Sequence, residues 1–276
     1  YDMAEQAMVC YRHPGRETAV SCSNCGRPIC PDCMHQASVG FHCPECTKAN
    51  PQRTVTARTL ARASQPVATL TIVAINLAIF ALDLPSSSDA VNGIGRIGLE
   101  SGLYGPSVAA GDWWRPFTSG FIHAGIMHVA FNMFLLWQLG RLLEPAVKWY
   151  GFVTLYVLSL FGGSFAVLVI APGQFTVGAS GAVFGLMAAT FIAMRSRGID
   201  PFSTGIGPLL LINLILTFAV PGISIGGHLG GLAAGAVGGF LFWEWGPRLG
   251  RQGQLVPVAV CGLLALALFG ACLAIA

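Results

Sequence analysis

The sequence predicts an all-α polytopic membrane protein preceded by a small zinc-binding module. Of its 276 residues, 54% are hydrophobic and only 10% charged, whereas a soluble globular protein carries roughly a quarter charged. The charge is segregated as well. Tyr1 to Arg62 is polar, charged and cysteine-rich, and long apolar runs follow one another after Pro66. Seven of the nine cysteines fall before residue 47. The expected organisation is a module over 1–47, a basic linker over 48–65 and a membrane domain over 66–276. A net charge of +3 discriminates little by itself. The N-terminus opens on polar residues and cysteines rather than a basic-then-apolar signal. It lacks an initiator Met and is expected to differ from the natural start.

A spanning helix needs about 20 mostly apolar residues. Seven candidates follow in order, near 67–84, 121–141, 150–170, 180–194, 206–220, 228–245 and 255–275. The fourth reaches about 22 Å at 1.5 Å per residue, against the ~30 Å hydrocarbon core. Either it starts inside the membrane or the bilayer thins around it. Lys and Arg set the orientation. With the N-terminus inside, the inner segments carry Lys48, Arg53, Arg58, Arg62, Arg141, Lys148, Arg195, Arg197, Arg248 and Arg251, and the outer loops carry only Arg96 and Arg115. The N-terminus is therefore expected in the cytoplasm and the C-terminus outside. The long outer loop 85–114, with Trp113 and Trp114, is expected at the interface.

In the module the order is Cys10-x2-His13, Cys22-x2-Cys25, Cys30-x2-Cys33 and Cys43-x2-Cys46. Two residues between ligands let a tight turn aim both side chains at one metal, so four pairs make two tetrahedral sites. Disulfides are the alternative, weakened by the reducing side of the membrane and by a histidine at ligand spacing. The arrangement resembles a B-box-type finger, in which alternate pairs share a metal. That resemblance implies Cys10, His13, Cys30 and Cys33 on one ion and Cys22, Cys25, Cys43 and Cys46 on the other. His35 or His42 could substitute for a cysteine. With no open coordination position suggested, both zincs are expected to be structural. A segment this short needs such staples to fold.

Polar residues inside spans are costly and call for a functional hypothesis. The membrane domain holds His123, His128, Asn132, Ser180 and His228. The second, fourth and sixth spans run in the same direction, which puts all five in the outer half of the bilayer. Ser180 follows a stretch of poor helix sequence (APGQFTVGA) and is expected at a helix N-terminus, where free N–H groups and the dipole favour a developing anion. Gly181, Gly231 and Gly235 would allow the fourth and sixth spans to approach closely. That approach would bring His228 to Ser180 as the base a serine nucleophile needs. His128 and Asn132, four apart, share a helix face and can both donate. No Asp or Glu lies in the outer halves of these spans, so a dyad fits better than a triad.

These motifs resemble the rhomboid intramembrane serine proteases over nearly all of 66–276. Trp114-Arg115 is similar to the family's loop pair, His123-x4-His128-x3-Asn132 to its second-span motif, Gly178-Ala179-Ser180-Gly181 to its GxSG, and His228-x2-Gly231-x3-Gly235 to its sixth-span motif. The resemblance implies a rhomboid-like six-helix core plus one C-terminal transmembrane helix. It implies Ser180 as nucleophile, His228 as base, and an oxyanion hole from the Ser180 N–H with His128 and Asn132. Phe184 corresponds to the aromatic residue packed on the catalytic histidine, and His123 to a supporting position. The zinc module resembles that found on some actinobacterial rhomboids.

The expected reaction is hydrolysis of a peptide bond in or next to a substrate's transmembrane helix, in a plasma (inner) membrane, with the active site opening outside and no cofactor for catalysis. The expected partners are transmembrane protein substrates, the lipid bilayer and a protein partner for the zinc module. No nucleic acid is expected, since the module offers no dense basic stretch. One rival is an inactive rhomboid-like binder or escort of transmembrane proteins, which typically lacks the serine or the histidine. Another is a transporter, which would carry polar residues through the inner halves of the spans. Asn76 and Asn213 are isolated there and are expected to bond between helices.

Overall fold

The computed structural model describes residues 8–37, 39–49, 65–91 and 93–276. Most of the basic linker, including Arg53, Arg58 and Arg62, lies outside the described residues. The chain divides into two compact units, Tyr1–Ser64 and Gln65–Ala276.

The first unit is not helical in the main. Strands β1 (Val9–Cys10) and β2 (His13–Glu17) form one antiparallel hairpin, β3 (His35–Gln36) and β4 (Phe41–His42) a second, and helix α1 (Pro44–Ala49) follows. Its core contains Ile29 and six of its seven cysteines, with Tyr11, Val20 and Met34 packed against them. So few apolar side chains cannot hold a fold of this size by burial alone.

The second unit is helical. Helix α2 (Val67–Asp83) leads into a loop carrying the short helices α3 (Arg96–Ser101), α4 (Gly105–Ala109) and α5 (Arg115–Thr118). Then come α6 (Ile126–Ile170), α7 (Ser180–Arg195), α8 (Ile206–Ala219), α9 (Ile225–Phe240) and α10 (Leu255–Ile275). Helix α6 breaks at Lys148, whose φ of 62° and ψ of 169° divide it into limbs over 126–147 and 149–170. Counting both limbs, seven apolar helices result among the described residues, of which α7 and α8 are short. At 1.5 Å per residue they reach about 24 and 21 Å. This is a multi-pass membrane protein.

The second span's limb runs on to 147 rather than 141, and two span starts also differ from expectation. That second span begins at Ile126 rather than 121, because Gly125 has a φ of 81° that ends the preceding turns. His123 therefore sits in the connector, not on the helix. The sixth begins at Ile225 rather than 228, capped by Ser224, whose Oγ accepts from Gly227 N. His228 thus lies in the helix's first turn.

Glycine brings the central helices together. Gly181, Gly185 and Ala189 of α7 are spaced by four, as are Gly231, Gly235 and Gly239 of α9. A Cβ on Gly231 would strike the Gly181 backbone, one on Gly235 the Gly185 backbone, and one on Gly239 would lie 2.9 Å from Ala189 Cα. Rows of small residues let two helix backbones touch. Carboxylates secure α2 at both ends. Glu144 accepts from the backbone N–H groups of Ala68 and Thr69, which satisfies orphan donors of the first turn, and Asp83 accepts from those of Gly95 and Gly98.

Candidate active site

Ser180 is the first residue of α7, and the non-helical segment before it is tied down by protein. Leu103 and Thr176 exchange two backbone hydrogen bonds of 2.9 Å, Gly105 N donates to Pro172 O at 2.8 Å, and Gly178 N donates to Ser119 O at 2.9 Å. Irregular backbone at membrane depth persists only where its polar groups are met in this way. Gly178 has a φ of 122°, and a Cβ there would lie 2.7 Å from His128 Nε2 and 3.6 Å from Ser180 Oγ. Glycine therefore keeps open a gap between the serine hydroxyl and the His128 ring. The N-terminus of α7 leaves its first N–H groups without intrahelical partners.

His128 and Asn132 lie in the first turns of α6. Ala124 N donates to His128 Nδ1 at 3.2 Å. The proton of the neutral ring is therefore assigned to Nε2, the atom beside Gly178. Asn132 Nδ2 donates one hydrogen to His128 O at 2.9 Å and keeps a second to offer. His123 packs edge-on against His128 with centroids 5.1 Å apart, and its Nε2 accepts from Ala179 N at 3.4 Å. It thus holds the residue before Ser180.

His228 is buried. Its ring stacks on Phe184 at 4.0 Å with 20° between planes, and its Nδ1 lies 2.7 Å from Thr217 Oγ1. His128, Asn132, Ser180, Phe184, Asn213 and His228 line one cavity of about 650 Å³. Among the described residues no hydrogen bond joins Ser180 Oγ to His228; such contacts are often long without substrate. Gly181 sits in the α7–α9 contact. Trp114 and Arg115 stand away from the cavity. Arg115 donates to Asp112 Oδ2 and to the carbonyls of Leu99 and Gly102, and Trp114 Nε1 donates to Glu100 O, so the pair staples the first loop.

Sequence reasoning missed Thr217. A lone threonine in a spanning helix rarely stands out in a sequence. The amides of Asn76 and Asn213, expected to bond between helices, donate to Ile72 O and Leu209 O of their own helices.

In the first unit, Cys10, His13, Cys30 and Cys33 form one group and Cys22, Cys25, Cys43 and Cys46 another, with the ligand atoms of each within 4.8 Å of one another. His13 Nδ1 lies 3.3, 3.4 and 3.8 Å from the sulfurs of Cys30, Cys33 and Cys10, and Cys25 Sγ lies 3.7 Å from Cys43 Sγ. Zn–S bonds of about 2.3 Å in a tetrahedron set sulfurs about 3.8 Å apart, whereas a disulfide needs about 2.05 Å. All nine cysteines are free. The donor sets fit zinc. His35 and His42 pair across the second hairpin and belong to neither group. Arg27 donates to the sulfurs of Cys25 and Cys43, and its hydrogen bond holds the Cys25 thiol down to about 6, which favours the ligating thiolate.

The family model described as "Rhomboid domain" matches residues 110–245, the stretch that holds Ser180, His228, His128 and Asn132. The chain is 36% identical over 161 residues to "Rhomboid protease GluP" of Bacillus subtilis (strain 168), which covers 55% of this chain and 32% of that protein. It is 27% identical over 192 residues to "Inactive rhomboid-related protein 2" of Caenorhabditis elegans, covering 65% of this chain and 55% of that one. The chain thus spans about a third to a half of these relatives' length. It is 32% identical over 142 residues to "Putative rhomboid protease YdcA" of Bacillus subtilis (strain 168), covering 50% of this chain and 71% of that protein. On that match, and on the domain that holds the serine, the histidines and the asparagine of one cavity, this chain belongs to the rhomboid family.

Proposed function

We propose that this protein is an intramembrane serine endopeptidase that cleaves peptide bonds in or next to substrate transmembrane helices through a Ser180–His228 dyad. One observation carries the reading: Ser180 at a helix N-terminus, His228 on Phe184, and the donors His128 and Asn132 line a single cavity. Ser180 Oγ attacks the scissile carbonyl while His228 takes its proton, and the protonated histidine passes that proton to the leaving amine. The oxyanion is received by the Ser180 N–H, His128 Nε2–H and the free Asn132 amide hydrogen. Water then hydrolyses the acyl-enzyme; a second cavity of about 30 Å³ beside Ser180, lined also by Ser119, Ser164 and Ser224, has room for one molecule. Ser180→Ala and His228→Ala are each expected to abolish cleavage of a transmembrane model substrate in liposomes with the protein still folded. Normal turnover by Ser180→Ala would refute the dyad, and absence of cleavage by the wild type would leave the rival reading, a non-catalytic binder of transmembrane proteins.

Residues 1–47 form a two-zinc structural module, joined by the 48–65 linker to the protease domain over 66–276. The bias of ten basic residues to two supports a cytoplasmic N-terminus and a cavity mouth outside a plasma (inner) membrane. Labelling of cysteines introduced into loop 85–114 from outside the cell checks this, and labelling only from within would reverse it.

A further inference from the structure

We propose that Thr217 is a positioning residue for His228, acting by selecting the ring tautomer that leaves Nε2 free to accept a proton; this rests on the Ser180–His228 reading above. A threonine hydroxyl has one hydrogen and two lone pairs. Here the oxygen lies 2.8 Å from Asn213 O and 2.7 Å from His228 Nδ1. A carbonyl oxygen only accepts, so the hydroxyl hydrogen goes to Asn213, one turn back on the same helix. The threonine oxygen can then only accept from the ring. That puts the imidazole hydrogen on Nδ1 and a lone pair on Nε2. The opposite arrangement would strand the Asn213 contact and put a hydrogen on Nε2, where a base needs a lone pair.

The surroundings leave few other means of fixing the ring. Thr217 is 1% exposed. The two buried carboxylates, Asp83 and Glu144, are engaged at the ends of α2 by backbone N–H groups. Phe184 sets the plane of the imidazole but does not distinguish its two nitrogens. The position is also unusual for its helix. The buried residues of α8 are Ile206, Gly207 and Thr217, while the neighbouring Leu216 and Phe218 are exposed on the apolar surface. A hydroxyl buried in that last turn thus supplies the orienting group that a carboxylate supplies in a serine–histidine–aspartate triad. Being neutral, it steers the tautomer without adding charge to stabilise the imidazolium.

The test compares Thr217→Val, which keeps the shape and removes the hydroxyl, with Thr217→Ser, which restores it. Full-length protein in liposomes is assayed on a transmembrane substrate alongside Ser180→Ala. Thr217→Val is expected to lose about 10- to 100-fold in kcat, with KM and Tm little changed, and Thr217→Ser to recover most of it. In 15N-histidine-labelled wild-type protein, the His228 resonances, identified by their loss in His228→Ala, should report a hydrogen on Nδ1. Wild-type kcat in Thr217→Val, equal loss in the Val and Ser variants accompanied by a lower Tm, or a hydrogen on Nε2 in the wild type would each overturn the inference while leaving the dyad standing. Cleavage by Ser180→Ala would remove the dyad itself, and the inference with it.

Discussion

The two units of this chain place polar side chains by opposite means. In the first, the cysteines are the core: six of seven are buried, and among the described residues Ile29 is the one other side chain buried with them. In the second, the polar set is small and positioned from outside itself. The glycine rows of α7 and α9 bring two backbones into contact, and across that contact Ser180 and His228 come to line one cavity. Among the described residues the first unit buries little besides its cysteines, so its fold is expected to depend on the two ions its donor sets fit. Remove the polar set from the second and the packing remains. Folding and chemistry therefore coincide in the module and separate in the membrane domain.

The largest expected effect is on the module. Structural zinc contributes on the order of 10–16 kcal/mol to domains of this kind. Elemental analysis is expected to find two zinc ions per chain, and stripping them should unfold the module. Cleavage should persist, because no residue of either cluster lines the cavity. One ion or none in intact protein would undo the eight-ligand assignment.

Next come the proposed oxyanion donors. His128→Ala and Asn132→Ala are each expected to cost about 10²–10³ in kcat, or about 2.7–4 kcal/mol. The loss belongs in the chemical step, since the donors act on charge that exists only in the transition state. Among the described residues Asn132 bonds only to a carbonyl of its own helix, so its loss should hardly move Tm. A lowered Tm with intact turnover of the folded fraction would make both residues structural.

The smallest effect tests the packing. Gly235→Ala would force a methyl into the Gly185 backbone and is expected to cost about 1–3 kcal/mol of stability. Gly262→Ala in α10 meets no atom within 4 Å and should cost nothing by overpacking. Thermal unfolding of the two variants in one detergent compares them. Equal stabilities would mean that the glycine rows do not hold the site together.

Much of this was legible in the sequence, for reasons that differ by residue. The spans announce themselves by apolar length, and the alternating cysteine pairs matched the grouping found. The start of α6 was not legible. Phe121 and Ile122 are as apolar as the helix that follows, and hydropathy does not register the turn made at Gly125. His123 was consequently placed on a helix it precedes. The hairpins of the module escaped notice because strands of two to five residues are set by ligand geometry rather than by alternation. Thr217 was invisible because its contact with His228 spans two helices.

The central claim is that Ser180 is an activated nucleophile. A fluorophosphonate that reacts with activated serines, followed by mass mapping of the adduct, tests it most directly. The expected result is one adduct per chain, on Ser180, that disappears in Ser180→Ala and falls to background in His228→Ala while both variants melt like the wild type. An adduct elsewhere, or labelling of Ser180 at an unchanged rate in His228→Ala, would contradict the account.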